Sequence, residues 1–314
     1  MRLRTRRMAF ALAAMASPAV AFAACGGPSA PNGNAAGGGS QGFEQSPCDV
    51  LPASKLDATG MATLVLSKQP DGTCYWIDKT EVTVQEYSQF LAAAVAQPSG
   101  WGPQCSWKTT PSNPVAETSD PCTVTTNMES DPFRATKPIR CVDWCDARAY
   151  CMWAGKDLCG GETNGSLLEP VDVPDQWGNA CSADGSPYPN GATPVDGECN
   201  AGLSEDGGQC FSLLHQNDCA PTDVGSFPGC TSPGGAEDMI GNVAEWVVSC
   251  AVSADGGPDT LCQIRGGAFL TPLEDGTCYG VAAMTLGTRD RSVGLRCCAA
   301  LTQDEHKLVT GATK

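Results

Sequence analysis

In V-T-V-Q-E-Y-S-Q-F-L-A-A-A-V, apolar residues recur at helical spacing, with Val84, Tyr87, Leu91 and Val95 on one face. Thr83 and Glu86 stand three apart just before that face, the reciprocal pair of a capping box, so the helix is predicted to begin there. The run before it, C-Y-W-I-D, is dense in aromatic and branched residues and predicts a strand. A second helix is predicted in V-D-W-C-D-A-R-A-Y-C-M-W-A-G. There Asp143 supplies the cap, Ala147, Tyr150, Cys151 and Ala154 form the buried stripe, and Gly155 ends the element. A third, short helix is predicted from Pro174, a residue suited to the first helical position.

Outside these stretches the pattern is broken. The 314 residues include 36 Gly and 23 Pro, so regular elements should be short and loops many. Residues 26–47 carry Gly, Ser, Pro, Asn and Ala with almost nothing to bury, and read as a flexible tether. Before them, Arg2, Arg4, Arg6 and Arg7 precede an apolar run from Met8 to Phe22, the layout of an export signal and too short for a stable membrane span. Arg6-Arg7 also fits twin-arginine export. The run ends in Ala21-Phe22-Ala23-Ala24-Cys25, which fits either cleavage after Ala23 or a lipoprotein site with Cys25 acylated as the new first residue. The expected organisation is a signal peptide at 1–24, lipidated Cys25 and linker over 25–47, one folded domain over 48–300 and a polar tail over 301–314.

Cysteine content shapes the folded part. Of 19 cysteines, setting Cys25 aside leaves an even number, which favours the lipoprotein reading. So many cysteines behind an export signal imply an oxidising compartment, where disulfides persist and make up for a modest apolar core. Zinc clusters fit poorly, since no paired C-x-x-C units occur and only His215 and His306 offer imidazole. Two histidines also exclude a three-histidine iron site. The formal net charge is −16, and losing the arginine-bearing leader makes it more negative. A basic footprint for nucleic acid is therefore missing, whereas cations are readily accommodated.

Candidate chemistry concentrates in D-M-I-G-N-V-A-E-W. Asp238 and Glu245 bracket Gly241 and Val243, so two carboxylates and two carbonyls are available as the hard oxygen set that Ca²⁺ prefers. The same residues also read as a glycine turn with Asn242 capping it and Trp246 in the core. Composition and spacing leave both readings open.

Eight strings in order carry a resemblance: Y-W-I-D-K-T-E-V-T-V-Q-E-Y, P-I-R-C-V-D-W-C-D-A-R-A-Y-C-M-W-A-G-K, P-D-Q-W-G-N-A-C, S-P-Y-P-N-G, V-G-S-F-P, D-M-I-G-N-V-A-E-W, R-G-G-A-F and V-G-L-R-C. Together, over residues 74–299, they resemble the formylglycine-generating enzymes, or sulfatase-modifying factors. The resemblance implies a single α+β domain of the formylglycine-generating-enzyme type, related to the C-type-lectin fold, loop-rich and stapled by disulfides. It implies structural calcium on Asp238, Gly241, Val243 and Glu245. Asn200 would belong to a second calcium site whose acidic partner falls among residues 209–223.

For catalysis the resemblance implies something different. Active members oxidise a substrate cysteine to formylglycine with O₂, using two cysteines after R-G-G that hold copper(I). Here Thr271 stands at the first of those positions, and a hydroxyl is no soft ligand. Cys278 lies at the spacing from Cys297 where the family has a structural cysteine. The implied pairs are Cys151 with Cys297 and Cys181 with Cys278. No catalytic residue is then assigned, copper is not expected, and Thr271, Glu274 and Asp275 are expected to form a polar, acidic binding rim. Ala244 also replaces the family's usual tryptophan.

Two functions follow as expectations. One is a non-catalytic, calcium-stabilised binding or scaffold module, exported and lipid-anchored at a bacterial cell envelope, or else periplasmic or secreted in soluble form. Its partner would be an envelope protein, a peptide or a glycan. The other is an oxidoreductase acting on protein cysteines with a rearranged thiol site.

Overall fold

The computed structural model describes residues 46–93, 103–111, 122, 135–160, 176–202, 220–251 and 257–311. Cys25 and the leader, Val95 and Pro174 lie outside them. Three strands open the fold: β1 (Ser54–Leu56), β2 (Thr63–Lys68) and β3 (Cys74–Asp78), the last buried along its whole length as the C-Y-W-I-D run predicts. Helix α1 (Val84–Ala92) begins at Thr83, whose hydroxyl accepts from the Glu86 amide while Glu86 Oε2 accepts from the Thr83 amide at 2.6 Å. Its buried residues are Val84, Tyr87 and Phe90, with Leu91 only partly covered.

Helix α2 (Trp144–Trp153) starts at Asp143 as expected, and Gly155 leaves it with a φ of +73°, a conformation that favours glycine. Its buried face is wider than one stripe. Trp144, Cys145, Asp146 and Ala149 are buried beside Ala147, Tyr150 and Cys151, because α2 packs on α1 and on both sheets. The aromatic rings of Tyr87, Phe90, Tyr150 and Trp153 meet at centroid distances of 5.3 to 5.9 Å and join the two helices. The two-residue strand β4 (Asp157–Leu158) and helix α3 (Gln176–Cys181) follow.

The remaining strands are β5 (Ala244–Cys250), β6 (Leu261–Arg265), β7 (Ala282–Thr285), β8 (Val293–Leu295) and β9 (Cys297–Ala300). They complete two sheets, a five-stranded one ordered β1-β2-β3-β9-β4 and a four-stranded one ordered β7-β6-β5-β8. All pairings are antiparallel except β5 with β8. Strands β8 and β9 are separated by one residue, Arg296, so the chain steps from one sheet to the other at that point. Within residues 301–314, expected as a polar tail, the described part forms helix α4 (Gln303–Thr310), which has no buried residue. Leu301 and Val309 pack on the cluster of Leu51, Leu64 and Trp76, and Glu305 reaches Lys55 at 2.6 Å.

All sixteen cysteines among the described residues are in disulfides. The structure joins Cys151 to Cys297 and Cys181 to Cys278. The other described pairs are Cys48–Cys74, Cys105–Cys145, Cys122–Cys141, Cys159–Cys298, Cys199–Cys230 and Cys250–Cys262. Neighbours Cys297 and Cys298 on β9 thus tie that strand to α2 on one side and to the end of β4 on the other. No described helix is long and apolar enough to cross a membrane.

Candidate functional site

The segment from Asp238 to Glu245 is a tight turn that runs into β5. Asp238, Gly241 and Asn242 have φ of +55°, +80° and +51°, left-handed values that Asp and Asn tolerate better than most residues. A Cβ on Gly241 would run into the Asn200 carbonyl, so glycine is required there. Asn242 ties three loops together. Its amide donates to the Asn200 carbonyl at 2.8 Å, its side-chain oxygen accepts from the Thr222 amide at 2.9 Å, and its carbonyl accepts from Phe269 at 3.0 Å. Asn200 is therefore brought against this segment, with its Nδ2 donating to Asn242 Oδ1 at 3.1 Å and to the Ala220 carbonyl at 3.1 Å. Most of the stretch expected to hold its acidic partner lies outside the described residues, and Asp223 at its end pairs with Lys137 at 3.4 Å.

The two carboxylates of the segment have different neighbours. Asp238 Oδ2 accepts from the Gly225 amide at 2.5 Å, and burial pushes the group up to about 6 despite that bond and nearby Arg296. Glu245 is bound from two sides. Arg296 donates Nε to both of its oxygens at 2.9 and 3.0 Å, and Trp177 Nε1 donates to Oε2 at 2.6 Å. Burial still holds Glu245 above the usual carboxylate range, with Arg296 and Trp177 opposing.

Arg296 has no exposed surface and binds more than Glu245. Nη1 donates to the Asp78 carbonyl of β3 at 2.9 Å, and Nη2 to the Glu237 carbonyl at 2.7 Å. One guanidinium thus joins the first sheet, the second sheet and the turn. Close by stands Glu81, 1% exposed, with neither carboxylate oxygen hydrogen-bonded. Burial, then the Asp238 charge, raise it well above the ordinary range.

As calcium ligands these residues fit in part. Asp238, the turn carbonyls and the two unpartnered Glu81 oxygens are hard donors in a buried place, whereas Glu245 is committed to Arg296 and Trp177. Among the described residues no three His, Cys, Asp or Glu side chains converge as a metal-binding group. Sequence reasoning assigned no role to Glu81 or Arg296. The available signal was a lone charge inside an otherwise apolar run, V-G-L-R-C-C.

The R-G-G segment ends β6. Gly266 and Gly267 have φ of +84° and +68°, and a Cβ at Gly266 would press on the Met239 carbonyl and the Trp177 ring. Beyond them Thr271 is partly buried and its hydroxyl accepts from the Ala268 amide at 2.9 Å, closing a local turn. Glu274 and Asp275 are exposed, and both carboxylates lie near enough to Tyr188 to raise its phenol, after burial. The three rim residues therefore lie along one loop. Cys278, at its end, is bonded to Cys181.

A model of the sulfatase-modifying factor enzyme 1-like domain matches residues 67–301. The chain belongs to this family. Among curated members of similar sequence, hercynine oxygenase of Mycobacterium tuberculosis is 32% identical over 121 residues, 37% of this chain and 22% of that protein. Formylglycine-generating enzyme of Mus musculus is 30% identical over 191 residues, 53% of this chain and 45% of that one. The chain thus spans less than half the length of these curated relatives. Among solved structures, PvdO from Pseudomonas aeruginosa aligns at TM-score 0.49 and 18% identity, covering 80% of this chain and 99% of that one. CarF aligns at TM-score 0.46 and 18% identity, over 73% and 87%. By the family match the domain is an α+β sulfatase-modifying-factor domain, with eight disulfides among its described residues.

Proposed function

We propose that this sulfatase-modifying-factor domain is a non-catalytic binding or scaffold module, exported and held at the bacterial cell envelope through an acylated Cys25. The observation that carries the reading is the state of the sulfur: every described cysteine is in a disulfide, Cys278 included, and Thr271, four residues beyond Gly267, has its hydroxyl tied to the Ala268 amide. Copper(I) chemistry on a cysteine substrate requires thiolates, and this loop offers a neutral hydroxyl in their place. Thr271, Glu274 and Asp275 would then act as a polar, acidic rim for an envelope protein, peptide or glycan. The competing reading, an oxidoreductase acting on protein cysteines, is favoured by the enzymatic names of the relatives. The separating experiment incubates the purified protein with copper and a cysteine peptide of the sulfatase type and follows aldehyde formation. No conversion is expected. Conversion would establish the oxidoreductase reading.

Calcium is proposed as a structural ion held by Asp238 and the carbonyls of Gly241 and Val243, where it would offset the buried negative charge of Asp238 and Glu81. A Glu245 variant cannot report on it cleanly, because losing Glu245 strands Arg296 whether calcium binds or not. Asp238→Asn is the better probe, since asparagine keeps an acceptor for Gly225 and tolerates the left-handed backbone. Saturating calcium at a hundredfold excess over Kd is expected to stabilise the wild type by about 2.7 kcal/mol. Most of that gain should vanish in Asp238→Asn. Melting curves that coincide with and without chelator would eliminate calcium.

A further inference from the structure

The described disulfides are not equally accessible. Fifteen of the sixteen half-cystines are buried, none more than 7% exposed, and seven of the eight bridges are therefore closed to solvent at both ends. Cys250 is the exception. It lies at the end of β5, partly exposed, while its partner Cys262 on β6 has no exposed surface. The two are directly opposed across the antiparallel pair, beyond a register shift that separates them from the Trp246 end of β5.

This bridge also spans the least chain. Cys250 and Cys262 are 12 residues apart, against 19 to 146 for the other described pairs. Its opening releases less loop entropy than that of any other described bridge and leaves the long-range staples on α2, α3 and β9 in place. The strands remain joined beside it, since the Ala251 amide donates to the Leu261 carbonyl at 2.7 Å.

We propose that Cys250–Cys262 is a thiol-exchange site at which this domain accepts electrons from a dithiol partner. A thiolate of the partner attacks the reachable Cys250 Sγ, forming a mixed disulfide and breaking the Cys250–Cys262 bond. Cys262 leaves as a thiolate and takes up a proton. The partner's second thiolate then attacks its own sulfur in the mixed disulfide and releases Cys250, which is protonated in turn. Two electrons and two protons pass to the cystine, and the partner ends as its own disulfide. Attack in the opposite sense is blocked because Cys262 has no exposed surface and belongs to the buried core.

The test exposes the folded full-length protein to rising dithiothreitol, quenches with N-ethylmaleimide and maps the labelled peptides. Label is expected first on Cys250 and Cys262 together, with the other bridges intact over at least a tenfold range of reductant. With glutathione as a monothiol probe, the adduct should sit on Cys250 and the maleimide on Cys262. Another pair opening first, several pairs opening together, or glutathione on Cys262 would overturn the proposal.

Discussion

Arg296→Met is expected to destabilise the protein by about 3–5 kcal/mol at pH 7.5, because it removes one partner of a buried ion pair and leaves the other uncompensated. The side chain is fully buried and neutralises Glu245 through two oxygens, with Asp238 and Glu81 also in its field. Methionine fills much of the volume but supplies no donor for Glu245 or for the carbonyls of Asp78 and Glu237. The sign of the pH dependence follows from burial. Without the guanidinium the carboxylates bind protons more tightly in the folded than in the unfolded state, so the variant gains stability relative to wild type as pH falls from 7.5 towards 5. Adding Glu245→Gln should recover part of the loss, since a neutral amide tolerates burial better than an unpaired charge. Denaturant unfolding with disulfides intact measures all three. A single-variant loss below about 1 kcal/mol, or one independent of pH, would remove Arg296 from its place at the seam.

The second large effect is expected at Lys156. Its ammonium lies 3.0 Å from Asp57 Oδ2 and 2.6 Å from Asp78 Oδ1, and none of the three side chains is more than 3% exposed. Burial draws the ammonium down, but Asp78 and Asp57 outweigh it and hold it above the usual lysine range. Asp78 also accepts from the Cys297 amide at 2.9 Å, so the triad fixes the start of β9. Lys156→Met should cost about 3–5 kcal/mol by stranding two carboxylates. Lys156→Arg should rescue little, because a planar fork does not replace a compact ammonium between two acids. Full rescue by arginine would mean that charge alone, not geometry, is required.

Local chemistry made parts of this fold legible. The starts of α1 and α2 follow from Thr83 with Glu86 and from Asp143, because capping partners are three residues apart. The buried surface of α2 is wider than its periodic stripe: periodicity describes one buried face, and here Trp144 and Ala149 are buried as well. What composition and spacing did not supply was long-range pairing. The disulfides Cys151–Cys297 and Cys181–Cys278 were implied by resemblance alone, and nothing local announces that Lys156 meets Asp57 across 99 positions. The same limit applies to the candidate site. Asp238 and Glu245 are visible as a carboxylate pair, but that Glu245 faces Arg296 depends on β5 and β8 pairing in parallel, with Glu245 opposite Gly294. A single-residue step between sheets leaves no periodic trace.

The central claim is that the loop after R-G-G holds no working thiolate pair, and intact-mass analysis of the mature protein, alkylated under denaturing conditions without reductant, tests that most directly. It predicts no alkylated cysteine, nine disulfides among the eighteen cysteines besides Cys25, and an N-terminal diacylglyceryl mass on Cys25. Two alkylated cysteines in the unreduced protein, mapped by peptide analysis to positions other than Cys250 and Cys262, would contradict it.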